Sequence, residues 1–314
     1  MQRVLMLGGT GFVGRALCAR MAEMHPETCV RVLTRHVSHA RALMALPQVE
    51  LEGGDVHDEA QLARWLGDCD AVVNLVGILH GSEARFRHVH AELPRKLAAA
   101  CKRTGVRRIV HVSALGAAAN APSHYLRSKA AGEAALRAPG LDVTIIRPSV
   151  MFGEEDHFLN LFARLQRWVP LVPLAGAQAR FQPVWVQDVA LALVRCLEDG
   201  ATAGHTFEAA GPAVYSLAEL VQLAGRCAGH ERLVLGLPAG LGRLQAAVMR
   251  LLPGEPLMSA DNLDSMRVDN VATGTLPGLD ALGIHAASPA GVAPEYLRPA
   301  YDCSRLDAMR AHRG

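Results

Sequence analysis

A chain of 314 residues, half of them apolar, is long enough for one large α/β domain with a smaller appended region, or for two modest domains. The formal net charge is only +2 and no basic stripe is interleaved with aromatics, which leaves a nucleic-acid role without support. The seven cysteines are scattered, odd in number and never spaced as Cys-x-x-Cys, so neither a disulfide framework nor a zinc site is indicated and a reducing compartment is expected.

The chain opens on an apolar stretch, 1–7, that runs straight into a glycine turn. It is too short for the apolar part of a signal peptide and lacks a small-residue cleavage site. No stretch approaches a membrane span, so the protein is expected in the cytoplasm, soluble or peripheral at the inner face of the plasma membrane. Residues 4–7 read as a strand buried on both faces, 15–24 as a helix and 30–33 as a second strand. A short helix follows at 58–66 with Asp58 near its N-cap, then an apolar run at 71–76. The stretch 83–103 is helical apart from Pro94, 108–112 is a strand, 125–136 a helix and 143–146 a strand.

Strands alternating with helices of this length predict an α/β fold, a doubly wound parallel sheet of the Rossmann type with right-handed crossovers. The rhythm breaks after Pro148. Glycines and prolines crowd 169–183, and helical patterns return at 189–197 and 217–227. This divides the chain into a dinucleotide-binding core, 1–150, with 184–198 packing back on it. The remainder, 151–183 and 199–314, forms a smaller, loop-rich C-terminal region of the kind that shapes a substrate pocket.

The turn Gly8-Gly9-Thr10-Gly11-Phe12-Val13-Gly14 lies between the first strand and the first helix. Glycines there allow a tight turn and close backbone approach to a pyrophosphate, and the helix N-terminus supplies amide donors. At the end of the second strand a carboxylate would favour NAD(H). The chain instead reads Val32-Leu33-Thr34-Arg35-His36, where Arg35 can pair with a 2′-phosphate. NADP(H) is therefore the preferred cofactor and NAD(H) the alternative, unless Arg35 is a solvated surface residue.

Tyr125 and Lys129 stand one helical turn apart on a shared face. A nearby ammonium is expected to lower the phenol's pKa and make it a proton donor or acceptor beside a carbonyl. The turn, this pair and the strand Ile109-Val110-His111-Val112-Ser113 together resemble the short-chain dehydrogenase/reductase superfamily in its extended, epimerase/dehydratase-like branch. Gly54-Asp55-Val56 resembles that branch's adenine-contacting acid and Asn74-Leu75-Val76-Gly77 its fourth-strand motif. Arg147-Pro148-Ser149 resembles the segment beside the nicotinamide, and Val184-Trp185-Val186-Gln187-Asp188-Val189-Ala190 a late structural motif. The resemblance implies contacts to the dinucleotide from Gly8, Thr10, Gly11, Phe12, Val13, Gly14, Arg35, Asp55, Val56, Leu75, Val76, Gly77, Val112, Tyr125, Lys129 and Pro148. It makes Tyr125, Lys129 and Ser113 the catalytic set.

A closer resemblance runs through nearly the whole chain. His111 to Leu115, Tyr125 to Glu133, the string Phe152-Gly153-Glu154-Glu155-Asp156-His157-Phe158-Leu159-Asn160 and Leu276 to Ile284 are similar to the nucleotide-binding accessory subunit of respiratory complex I and its bacterial relatives. That implies bound NADPH, and complex I or a membrane surface as partner. One departure bears on catalysis. Where extended-branch enzymes place a carbonyl-polarising hydroxyl after Val-Ser, this chain has Ala114, and loss of such a donor removes a few kcal/mol of barrier lowering.

Other signals read as ordinary surface chemistry. His88 and His90 lack a third ligand at metal spacing and read as a solvated helix face, so no metal is expected. Asp55 can equally be a plain turn residue. Glu154, Glu155 and Asp156 read as a solvated acidic run. Leu241, Leu244, Val248 and Leu251 share one face of a helix with Arg243 and Arg250 on another, which fits a membrane or partner surface or a helix packed on its own domain. Two functions remain open: a cofactor-holding accessory protein, and a free NAD(P)-dependent reductase or epimerase acting on a carbonyl, sugar-nucleotide or quinone-type substrate through Tyr125 and Lys129.

Overall fold

A computed structural model describes every residue except 36, 38, 39, 138, 139, 250–257 and 299–314. The first half alternates strands and helices: β1 (Arg3–Leu7), α1 (Phe12–Met24), β2 (Cys29–Thr34), β3 (Val49–Gly53), α2 (Glu59–Leu66), β4 (Ala71–Asn74) and α3 (Glu83–Arg87). One π-helical turn, His88–Glu92, leads into α4 (Leu93–Thr104), followed by β5 (Arg108–Val112), α5 (His124–Leu136) and β6 (Asp142–Pro148). Beyond it come β7 (Met151–Phe152), α6 (Leu159–Trp168), β8 (Leu171–Ala175), β9 (Arg180–Phe181), β10 (Val184–Trp185), α7 (Val186–Glu198) and β11 (Thr206–Ala209). The last elements are β12 (Tyr215–Ser216), α8 (Leu217–Cys227), β13 (Leu233–Leu237), α9 (Ala239–Met249), α10 (Ala260–Ser265) and α11 (Pro289–Leu297).

Seven strands form one parallel sheet in the order β11-β6-β5-β4-β1-β2-β3. The chain departs from β1 first toward β2 and β3, then returns to β4 on its other side. The switch in direction therefore falls between β1 and β4, where the sheet's carboxyl edge opens a crevice. Helices cover both faces. α1 and α7 pack on one side over Val4, Met6, Val30, Val32, Val73 and Val110. α2 and α4 pack on the other over Leu5, Leu7, Val72 and Ile109. A third cluster, built on Phe152, Phe162, Val172, Leu174, Leu220 and Val221, organises the C-terminal part.

The apolar runs at 4–7, 30–33 and 108–112 all form strands of this sheet. The run 71–76 stops pairing at Asn74, whose Oδ1 accepts the Val76 amide at 3.2 Å and turns the chain. Two strands of this sheet went unread, as did the short strands of the C-terminal part. In β3 the glutamates Glu50 and Glu52 break the apolar run at the sheet's edge, and β11 arrives late in the chain to pair with β6. Pro94 does not interrupt its helix, because it enters at the first turn of α4 after the π-helical turn. Asp58 caps α2 as read, accepting from Ala60 and Gln61. The proposed amphipathic helix 241–251 is α9 as far as Met249; Arg250, Leu251 and the Val248 side chain lie outside the described residues.

Candidate functional site

The glycine turn leaves β1 at the switch point, and its conformation explains its composition. Gly8 has φ +82°, and a Cβ there would meet the Leu75–Val76 peptide at 3.1 Å. A Cβ on Gly14 would overlap the Gly9 backbone, so α1 sits directly on the turn. The N-cap of α1 is Gly11, with no side-chain cap, which leaves the first-turn amides of Val13 and Gly14 for an anion. Thr10 and Phe12 belong to the same turn. β2 and β3 end in register, Thr34 beside Gly53, so Arg35 and Asp55 both follow strands that end at this edge. Arg35 is exposed. Asp55 accepts the His57 amide at 2.9 Å in a local turn, and Val56 packs on the core below.

Leu75, Val76 and Gly77 follow β4, with the Leu75–Val76 peptide against Gly8 and Gly77 beside Lys129 Nζ. Val112 and Ser113 end β5, and Pro148 ends β6, at the same carboxyl edge. Helix α5 carries Tyr125 and Lys129 over that edge. Lys129 is buried; its Nζ donates to the Val112 carbonyl at 3.2 Å and lies beside Gly77. Burial pulls its pKa down to about 8, against the attraction of Glu133 one turn on. Tyr125 is half-buried. The ammonium lies 6.0 Å from its ring, yet burial governs and pushes the phenol up to about 12. The expected lowering by Lys129 is thus corrected: desolvation outweighs the charge.

His90, read as solvated, is instead buried at the centre of this cluster; the π-helical turn swings it inward. The Ile78 amide donates to its Nε2 at 3.0 Å, which leaves the ring proton on Nδ1 for Ser128 Oγ at 2.9 Å. The Ser128 hydroxyl in turn donates to the Tyr125 carbonyl at 2.7 Å. Burial, with Lys129 and His111 nearby, holds His90 neutral with a pKa of about 2. Its ring and Phe86 flank the Tyr125 ring edge-on, at 5.5 and 6.0 Å between centroids. Its partner in the sequence pattern, His88, is exposed and pairs with Glu92 at 2.9 Å.

The acidic run 154–156 is also corrected. Only Glu154 is a plain solvated group. Glu155 pairs with Arg15 of α1 at 2.7 Å, and Arg15 also donates to the Thr10 carbonyl at 2.8 Å. Asp156 is buried and accepts from the amides of Gly153, Phe158 and Asn160 and from the Tyr296 hydroxyl at 2.8–3.1 Å. Gly153 packs against Phe12, so the Phe152 to Asn160 string braces the glycine turn from the C-terminal side.

Two further interactions were not legible in the sequence. Asp261 of α10 accepts the amides of His124 and Tyr125, at 2.7 and 3.1 Å, and so caps α5 alongside Ser123. Glu133 and Arg147 form a bidentate pair at 2.7–2.8 Å that ties α5 to β6.

The donor set fits a dinucleotide. Uncapped amides face the crevice at the glycine turn, and at the other end Ser113 Oγ and Asn74 Nδ2 are buried without a hydrogen-bond partner among the described residues. When bound, a nicotinamide dinucleotide supplies hydride-transfer chemistry.

Residues 8–199 match a family profile described as NAD(P)H-binding. The mitochondrial NADH dehydrogenase (ubiquinone) 1 alpha subcomplex subunit 9 of Mus musculus is 33% identical over 89% of this chain and 75% of that protein. The ceramide reductase of Caulobacter vibrioides is 32% identical over 61% of this chain and 59% of that protein. An NADPH-dependent quinone oxidoreductase of Escherichia coli, solved with NADPH, shares the fold with a TM-score of 0.76 at 19% identity, over 94% of this chain and 99% of that one. With its profile match spanning most of the chain and its similarity to the complex I subunit nearly all of it, this protein belongs to the NAD(P)H-binding family that includes the alpha-subcomplex subunit 9 of complex I.

Proposed function

We propose that this protein is a cofactor-holding accessory subunit of respiratory complex I, with NADP(H) bound as a structural ligand and the protein peripheral to the respiratory membrane. The observation that carries this reading is the state of the Tyr125–Lys129 pair. Burial raises the phenol's pKa to about 12 and holds it neutral instead of bringing it toward the pH of the cell, and buried Ala114 stands where extended-branch enzymes carry a polarising hydroxyl. Both side chains still suit ribose holding: Lys129 Nζ donates to the Val112 carbonyl beside Gly77, and Tyr125 is clamped by His90 and Phe86. A ligand bound only by the folded state stabilises it by mass action, so such a role requires no turnover.

NADP(H) is preferred through Arg35, an exposed cation beside the ends of β2 and β3, while Asp55 is engaged with the His57 amide. Exchange of Arg35 for Ser is expected to weaken NADPH about tenfold and leave NADH unchanged in calorimetric titrations. Equal loss for both would remove the 2′-phosphate contact. In this reading the segment 152–160 of the C-terminal region braces the cofactor turn, through the Glu155–Arg15 pair.

The experiment for the whole proposal is affinity purification of the tagged protein from gently solubilised membranes of its native host. Complex I subunits in near-equal amounts are expected. Recovery of the protein alone from the soluble fraction would overturn the accessory reading.

A second reading has one specific observation behind it: similarity to a ceramide reductase together with an unpartnered Ser113 hydroxyl. There Tyr125 Oη would hand a proton to the carbonyl oxygen of a lipid-like substrate held by Ser113. NADPH oxidation that requires such a substrate and is abolished by Tyr125→Phe would establish it.

A further inference from the structure

An apolar face lies outside the cofactor site. β8 and β13 form a two-stranded parallel sheet in which Leu171 pairs with Leu233 and Pro173 with Leu235, so these four side chains share one face. The intervening Val172 and Leu174 point into the C-terminal core. The shared face is turned outward: Leu233 is 69% exposed, and Leu171 and Leu235 are exposed beside it. Trp168, at the end of α6 and three residues before Leu171, is 80% exposed. α9 packs along β8, with Gly242 seated on Ala175 and Gln245 Nε2 donating to the Pro173 carbonyl at 2.9 Å. Leu241 and Leu244, one turn apart on that helix, are both exposed. Single exposed leucines are ordinary; five leucines and a tryptophan on adjoining elements are a patch.

The segments that build the patch carry charge of one sign, with the Glu231–Arg226 pair at their border. No Asp or Glu occurs between Asp156 and Asp188 or between Glu231 and Glu255. Arg164 and Arg167 lie on α6, Arg232 precedes β13 and Arg243 lies on α9, with Arg167 over the Trp168 ring at 5.7 Å. Leucine and tryptophan with arginine and no carboxylate complement a surface that is uniformly anionic outside and apolar beneath.

We propose that this face docks on an anionic lipid bilayer, with Trp168 and the leucines entering the boundary between headgroups and acyl chains and the arginines meeting lipid phosphates. The inference deepens the proposed peripheral role and rests on it for its biological setting. The geometry links the face to the site. α10 packs against both α9 and α5, and its Asp261 caps the turn that carries Tyr125. Met266, just past α10, lies against Gly176 at the end of β8. A docked molecule therefore holds the Tyr125 end of its cofactor crevice one short helix away from the membrane-facing elements.

The test is co-sedimentation of the purified full chain, saturated with NADPH, with vesicles of phosphatidylcholine with and without phosphatidylglycerol. The exposed Arg164, Arg167 and Arg243 predict roughly tenfold or greater preference for the anionic vesicles, weakened by salt. Brominated acyl chains should quench an emission component that is absent from Trp168→Phe. The double variant Leu233→Glu/Leu235→Glu, altered only at exposed positions, should lose vesicle binding and keep its NADPH affinity. Binding indifferent to phosphatidylglycerol, or undiminished in that variant, would overturn the proposal. A dimer in solution that the same variant dissociates would assign the face to a second copy and equally overturn it. No complex I is present in this assay, so a failed docking result and a failed purification of complex I subunits are separate outcomes.

Discussion

At the scale of single residues, the site is organised by the burial of basic groups. Lys129 has its pKa drawn down to about 8 because its ammonium is desolvated, and a bound pyrophosphate and ribose favour the charged form. NADPH affinity is therefore expected to be full below pH 8 and to fall by up to about tenfold per pH unit above it. Lys129→Met should bind more weakly at pH 7 and show no such fall between pH 7 and 9.5, as read by calorimetric titration. A wild-type curve that stays flat to pH 9.5 would show that Lys129 does not meet the cofactor as an ammonium. The sequence displayed the tyrosine and lysine plainly, since their spacing alone puts them on one helical face. It did not display their electrostatics. Spacing records which side chains are neighbours; it carries no measure of how much water they have lost. For the same reason His90 read as solvated: residues two apart on a helix face different ways, and the spacing does not say which of His88 and His90 meets the core.

At the scale of elements, α5 is the part that places the site, and it is pinned at three points. Ser123 and Asp261 cap its start, the His90–Ser128 link holds its middle, and the Glu133–Arg147 pair fastens its far half to β6. Removal of the Asp261 cap by Asp261→Ala is expected to cost about 1 kcal/mol of stability in urea unfolding. It should also speed hydrogen exchange in the first turn of α5, while Asp261→Asn recovers part of the loss. Unchanged exchange there would mean that Ser123 alone suffices. This cap could not be read from sequence, because it joins residues far apart through two backbone amides and leaves no pattern in either segment. The glycine turn was legible for the opposite reason. Its constraints are local, and Gly8 and Gly14 are each demanded by backbone atoms within a few ångströms. Central strands were legible through unbroken apolar runs. The edge strand β3 was not, because its outward glutamates are what an edge strand requires and what a loop also looks like.

At the scale of the whole molecule, two buried histidines set the response to acid. Burial holds His111 at a pKa of about 3 and His90 at about 2, while the unfolded chain takes up these protons near pH 6.5. The unfolded state thus binds more protons throughout the interval below 6.5, so this contribution to stability is intact above that pH and lost as pH falls through it. Two such groups predict a slope of roughly 2–3 kcal/mol per pH unit between pH 6 and 4. Urea melts of wild type and His111→Gln should differ in that slope by about half. Parallel slopes would show that His111 keeps its proton on folding.

The placement of β11 has a consequence for how the protein is made. Its residues Thr206–Ala209 pair with Ile145–Pro148 of β6 across everything from β7 to α7. A growing chain therefore completes the strand that carries Pro148, with its outer edge open, well before the strand that covers it is synthesised. An open parallel edge is a template for mispairing with other chains. The cofactor turn, by contrast, is complete as soon as β1, α1 and β4 have assembled. The half of the sheet that begins the chain can therefore settle around its glycine turn while the β6 edge still waits for its cover.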